Sequence, residues 1–177
     1  MARIAAVKDE VDALVAAWQR ERPDLDTSPL AVLSRVTRLA RHLDRARRAA
    51  FAEHGLDGWE FDVLAALRRA GPPYELSPGQ LLTQTLVTSG TMTNRVDRLE
   101  SRQLVGRAPD RADRRGVRVQ LTPRGKELVD AAMADLLARE QALLAALTPD
   151  QRGSLAELLR TLLAPFDATH APPPPRP

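Results

Sequence analysis

The chain has 177 residues, with 26 Lys and Arg against 23 Asp and Glu for a formal charge of +3, no cysteine, 14 prolines and only 3% aromatic residues. That length suits one domain, or one domain with an oligomerisation arm. The absence of cysteine excludes a disulfide framework, a thiolate metal site and thiol redox sensing, while His42, His54 and His170 are too scattered to give metal-ligand spacing, so neither metal nor cofactor is expected.

No window approaches the ~18 uncharged apolar residues of a membrane span, and acids interrupt the amino-terminal apolar stretch where a signal peptide would not have them. A cytoplasmic protein is expected.

Residues 3–19 place Ile4, Val7, Val11, Leu14, Val15 and Trp18 three and four apart, the pattern of an amphipathic helix that stops at Pro23. Ser28-Pro29 reads as a cap with proline opening a second helix, which Leu30, Val32, Leu33, Val36, Leu39, Leu43 and Phe51 carry towards Gly55. A third, from about Gly58 to Ala70, is apolar on most sides and should be covered by two layers.

Gly71-Pro72-Pro73 breaks the pattern and Tyr74-Glu75-Leu76 is a short extended piece. Ser77-Pro78-Gly79-Gln80 is a capping box for a short helix to about Leu86; Thr88-Ser89-Gly90 reads as a turn, and another helix spans roughly Thr91 to Arg102. Two short helices so joined form a helix-turn-helix signal. Residues 104–109 and 117–121 then read as strands, the second in strict alternation, around the polar tip Asp110-Arg111-Ala112-Asp113-Arg114-Arg115-Gly116. Thr122-Pro123 opens a long leucine-rich helix, Thr148-Pro149-Asp150-Gln151 opens a final one, and a proline-rich tail expected to be disordered closes the chain.

The charge follows this layout. Residues 88–125 hold nine arginines against four acids, a net +5, while the rest of the chain carries 17 basic and 19 acidic residues. The 24 Arg to 2 Lys bias overall fits a GC-rich genome, but the local excess is of the kind that neutralises phosphates. The fold expected is mostly α with a small β wing: helices at 1–55, a winged helix-turn-helix DNA-binding lobe at 56–121, dimerisation helices at 122–166 and a tail at 167–177. The flanking helices have too little monomer core to cover, so their apolar stripes are expected to meet a second subunit.

Residues 58–130 resemble the MarR family of bacterial transcription regulators. The residues that carry the resemblance are the FDVLAAL helix, LSPGQLLTQTL, the TSGTMTNRVDRLE recognition helix, LVGR opening the wing, the DRADRR tip and VQLTPRGKELV. One departure stands out, Gln103 where the family usually has glycine, so the helix cap there must be strained or built differently. The amino-terminal stretches WQRERPDLD and SPLAVLSRVTRL, with GPPY and TNRVDRLE, look like the urate-responsive branch of that family. The resemblance implies a ligand set at Trp18, Asp62, Arg95 and Arg107.

Helical geometry at ~100° per residue puts Met92, Val96 and Leu99 inward and leaves Thr91, Thr93, Asn94 and Arg98, with Ser89 at the leading turn, to contact DNA in a major groove. Arg95 falls about 60° from the inward stripe, which suits a ligand arginine or a structural ion pair better than a phosphate clamp. Asp62, on the Trp59/Ala66 face opposite Leu64 and Leu67, is expected to look towards the dimerisation layer, where burial would call for a bridge to Arg95 or Arg107. Trp18 reads equally as core or ligand contact. At the tip, Arg111, Arg114 and Arg115 suit a minor groove and phosphate edges, with Asp113 bracing a neighbour.

The function expected is thus a homodimeric repressor on a pseudo-palindromic operator in double-stranded DNA, released by a small anionic aromatic such as urate or a related purine. A ligand-independent architectural DNA-binding protein, indifferent to sequence and small molecules, and a winged-helix protein-interaction module that ignores DNA remain the alternatives. No nucleophile-base-acid set or phosphate loop marks an enzyme.

Overall fold

A computed structural model describes residues 8–85, 88–110 and 116–168. The chain divides into two compact units, Met1–Leu136 and Leu137–Pro177. In the first, helix α1 (Glu10–Glu21) packs on the long helix α2 (Ser28–Glu53). The winged lobe follows as α3 (Gly58–Arg69), β1 (Glu75–Leu76), α4 (Pro78–Thr85), α5 (Ser89–Ser101), β2 (Val105–Pro109) and β3 (Val117–Leu121), and then α6 (Pro123–Leu143) begins. The last helix, α7 (Pro149–Ala168), lies in the second unit.

Local chemistry sets several boundaries away from where periodicity puts them. Helix α1 starts at Glu10 rather than near residue 3, with Ile4 and Val7 outside the described residues: the Asp9 carboxylate accepts from the Val11 and Asp12 amides, and the Asp12 carboxylate accepts from the Asp9 amide. Helix α2 is capped by Thr27, one position earlier than the expected Ser28, while the Asp26 side chain binds the Ser28 amide and hydroxyl. Ser89 and Gly90 belong to α5 rather than to a preceding turn, so Thr88 is its cap. The boxes at Ser77/Gln80 and Thr148/Gln151 form as the sequence indicates.

The sheet has strand order β1-β3-β2, antiparallel throughout, with Leu76 opposite Val119 and Arg107 opposite the same residue from the other side. Its inner face closes over α3, whose Val63, Leu64, Ala66 and Leu67 are fully buried. Leu81 from α4, Met92, Val96 and Leu99 from α5, and Val129, Ala132 and Leu136 from α6 complete this core, and Phe51 stacks on Phe61 with ring centroids 4.1 Å apart. The two-sided cover expected of α3 is present.

The turn after α5 decides where the wing begins. Gln103 takes φ +59°, and the Leu104 amide donates to the Leu99 carbonyl while the Gln103 amide donates to that of Glu100. This is a Schellman cap with a left-handed non-glycine residue, so the departure at Gln103 is met by strain rather than by another cap. Thr122 fastens the far end of the wing: its hydroxyl donates to the Gln103 carbonyl at 2.8 Å and accepts from the Gly125 amide at 3.0 Å. Gly125 must be glycine here, because a Cβ would stand 2.0 Å from the Leu104 carbonyl oxygen. The family-like TPRG run is therefore a packing requirement between the start of α6 and the end of α5.

In the second unit the Arg152 side chain donates to the Leu144 and Leu147 carbonyls, tying the start of α7 to the turn that follows α6. Helix α7 leaves Leu158, Leu162, Leu163 and Phe166 between 50% and 68% exposed.

Candidate nucleic-acid interface

Helix α5 presents an exposed polar face. Met92, Val96 and Leu99 anchor it in the core, so Gly90, Thr91, Thr93, Asn94, Asp97, Arg98 and Ser101 are exposed. The hydroxyls are partly engaged: Thr88 and Thr91 share a hydrogen bond at 3.0 Å, and Thr93 donates back to the Ser89 carbonyl at 3.2 Å. Asn94 has no side-chain partner among the described residues, which leaves its amide able to donate and accept at once, as reading an adenine edge requires. The amino end of α5, with its positive dipole, lies beside these residues.

Arg98 and Arg95 both lean towards α3. Their guanidinium carbons stand 4.8 Å and 5.4 Å from the Trp59 ring centroid. Arg98 is also 4.0 Å from the Asp57 carboxylate, whereas Arg95 has no acidic partner among the described residues. The ion pair offered as the ordinary reading of Arg95 is absent there. Sequence reasoning missed Trp59; the signal available was an aromatic at the first turn of a helix preceding the recognition helix.

Arg102, Arg107 and Arg118 of the basic segment are tied to acids. Arg107 on β2 bonds both Asp97 and Glu100 of α5, and this pairing, Asp97 foremost, raises its affinity for its proton above the ordinary guanidinium range. Arg102, at the end of α5, donates at 2.7 Å to both oxygens of the Glu60 carboxylate and at 2.9 Å to the Gly55 carbonyl. Glu60 is buried, and one of its oxygens also takes the Asp57 amide, so its charge is fully bonded. Arg118 on β3 donates to Asp110 at 2.7 Å and to Gln80 at 3.2 Å, bracing the wing base against α4. These three arginines are thus scaffold.

Of the four ligand positions, Arg95 and Arg107 lie on the adjacent elements α5 and β2. Trp18 is 46% exposed on α1, which packs on α2. Asp62 is exposed on α3, and it departs from expectation in pairing with neither arginine. Helix α3 turns Phe61, Val63 and Leu64 into the core, and the arginines find other partners. Arg111, Asp113, Arg114 and Arg115 lie outside the described residues.

Tri-helical packing, a helix-turn-helix with an exposed second helix and an antiparallel wing define a winged-helix DNA-binding protein. The family model described as the MarR family matches residues 54–116. The chain is 37% identical over 150 residues to the HTH-type transcriptional regulator PecS of Dickeya dadantii, covering 85% of this chain and 90% of that one. The chain therefore belongs to the MarR family and is a transcription regulator rather than an enzyme. Among solved structures it is similar to a cysteine-to-serine mutant of E. coli MarR complexed with operator DNA, at 27% identity and a TM-score of 0.63 over 78% of this chain and 99% of that one. It is also similar to Bordetella bronchiseptica BpsR, from a study of how 6-hydroxynicotinic acid regulates its DNA binding, at 30% identity and a TM-score of 0.55 over 72% and 98%. No described helix is long and apolar enough to cross a membrane.

Proposed function

We propose that the chain is a bacterial, cytoplasmic, homodimeric repressor that grips a pseudo-palindromic operator and lets go when a small anionic aromatic, urate or a related purine, binds. The face of α5 supports the DNA half most strongly. Asn94 and Arg98 are exposed on a helix whose opposite side is locked into the core, with Ser89, Thr91 and Thr93 at the leading end. Two such helices related by two-fold symmetry would enter major grooves about one helical turn, ~34 Å, apart. Arg111, Arg114 and Arg115, with Asp113 as brace, would reach the flanking minor groove.

The dimer would be built from residues 1–55 and 122–166 around the lobe at 56–121. What supports it is apolar surface without cover: Val32, Leu33 and Leu39 on α2 are at least half exposed.

The ligand would be held by Trp18, Asp62, Arg95 and Arg107. Arg95 brings a guanidinium with no acidic partner among the described residues, and a BpsR-like response to an aromatic acid is consistent with that chemistry. Arg107 supplies the coupling. An anion that takes its guanidinium competes with Asp97 and Glu100, both on the recognition helix, so ligand binding is felt by the element that reads DNA.

A mobility shift on the DNA upstream of the gene, titrated with urate, xanthine and salicylate, tests the ligand half. Release by urate at concentrations that leave the Arg95→Ala protein bound is the expected result. Complexes indifferent to all three ligands contradict the ligand reading, and loss of all DNA binding in Arg95→Ala makes that residue a DNA contact.

A further inference from the structure

Two cations of one helix converge on a single indole, and that indole is itself fixed. Trp59 is half-buried against the lobe core, and its Nε1 donates to an Asp57 carboxylate oxygen at 3.2 Å. Asp57 is the cap of α3, bound through its amide to Glu60, so the ring rests on the rigid start of a helix. Trp59, Gly90, Thr91, Asn94, Arg95 and Arg98 line an open cleft of about 480 Å³ on the side of α5 that carries the DNA-facing residues.

Holding an arginine over an aromatic face differs chemically from holding it with a carboxylate. The ring attracts the cation through its quadrupole and leaves the N–H edge of the guanidinium unspent, whereas an ion pair uses those donors and cancels the charge. Arg102, Arg107 and Arg118 are held the second way. Arg98 is held mainly the first way, with its Asp57 contact at 4.0 Å, the longest ion pair among those of the described residues. A guanidinium placed in advance also has less rotamer freedom to lose when it docks.

We propose that Trp59 is the positioning residue for the DNA contact made by Arg98: it presents the guanidinium to the groove with its charge and donors intact. This rests on the assignment of Arg98 to DNA made above. The residue specifies nothing by itself and acts only through the arginine.

The test is a double-mutant cycle on the tightest-binding duplex selected from a random-sequence pool, using the full chain. Affinities are measured for wild type, Trp59→Phe, Trp59→Leu, Arg98→Ala and the Trp59→Leu/Arg98→Ala pair, with thermal melts alongside. Trp59→Phe keeps a ring and is expected to bind within about twofold of wild type, while Trp59→Leu keeps apolar bulk without a quadrupole and is expected to bind roughly fivefold more weakly. In the Arg98→Ala background the Leu substitution is expected to cost nothing further. A Leu effect that persists undiminished without Arg98, or a Phe variant as weak as Leu, shows that Trp59 acts through packing and overturns the proposal. Undiminished binding by Trp59→Leu beside a weakened Arg98→Ala overturns the role of Trp59 alone. An Arg98→Ala protein that binds as wild type removes the DNA role of Arg98 and the proposal with it.

Discussion

The winged lobe and the helices that flank it use apolar residues to opposite effect. In the lobe, Leu64, Leu67, Leu81, Leu99 and Leu104 are at most 1% exposed, beside a three-stranded sheet whose Arg107 and Arg118 are held in ion pairs. On α2 and α7, Val32, Leu33, Leu158 and Phe166 are 53–68% exposed. The lobe is a finished structure within one chain, and the flanking helices carry apolar faces that only a further surface would complete. On the dimeric reading proposed above, the lobe holds a helix in register with DNA and the exposed apolar faces set the spacing between two such lobes.

The largest effect on this contrast should come from Gly125. Alanine there drives a Cβ into the Leu104 backbone, and an atom 2.0 Å from a carbonyl oxygen cannot be relieved by a side-chain rotation. A denaturant melt of Gly125→Ala is expected to show a loss of about 3 kcal/mol or more, since overpacking against backbone must shift α6 or the wing. Preserved stability would mean that the junction is looser than its geometry indicates.

The next is aimed at the flanks. The double substitution Leu158→Asp/Leu162→Asp places charges on the exposed stripe of α7, and sedimentation is expected to show a change from dimer to monomer with the thermal transition of the lobe retained. A dimer that survives would move the subunit contact to another face.

A smaller effect follows from Asp130. The Arg68 guanidinium at 2.7 Å, helped by Lys126 and opposed by partial burial, holds its carboxyl below the usual carboxylate range. A carboxyl whose folded value is depressed contributes stability above its unfolded value and loses that contribution as pH falls through the folded one. Wild type should therefore lose more stability than Asp130→Asn on going from about pH 5 to pH 3. Equal slopes in the two melts would assign acid sensitivity to other groups.

The smallest is a gain. Gln103 is held in a left-handed conformation that glycine adopts freely, and Gln103→Gly is expected to stabilise the lobe by about 1 kcal/mol, raising the melting temperature by a few degrees. An unchanged or lower melting temperature would show that the Gln103 side chain compensates its backbone.

What could be read in advance follows the reach of the interactions involved. Helix periodicity located Met92, Val96 and Leu99 because burial repeats along one helix, and the capping boxes at Ser77 and Thr148 appeared because both partners lie within three residues. The strain at Gln103 was legible as a residue out of keeping with its turn. Pairings between distant segments were not. Arg102 with Glu60 and Arg98 with Trp59 depend on how α5 crosses α3, and no period along the chain encodes that. For the same reason Asp62 was expected to meet Arg95 or Arg107, whereas Arg107 finds acids of its own near neighbour α5, seven and ten residues away. A net positive charge along a segment likewise could not say which arginines are already spent on carboxylates.

The most direct test of the account is the affinity of the purified wild-type protein for the duplex upstream of its gene against a random-sequence duplex of equal length, both at physiological salt. An operator-reading regulator is expected to prefer the upstream duplex by roughly a thousandfold or more, and to lose much of that preference in Asn94→Ala. Equal affinity for the two duplexes, falling together as salt rises, would contradict sequence reading by α5 and leave only backbone binding.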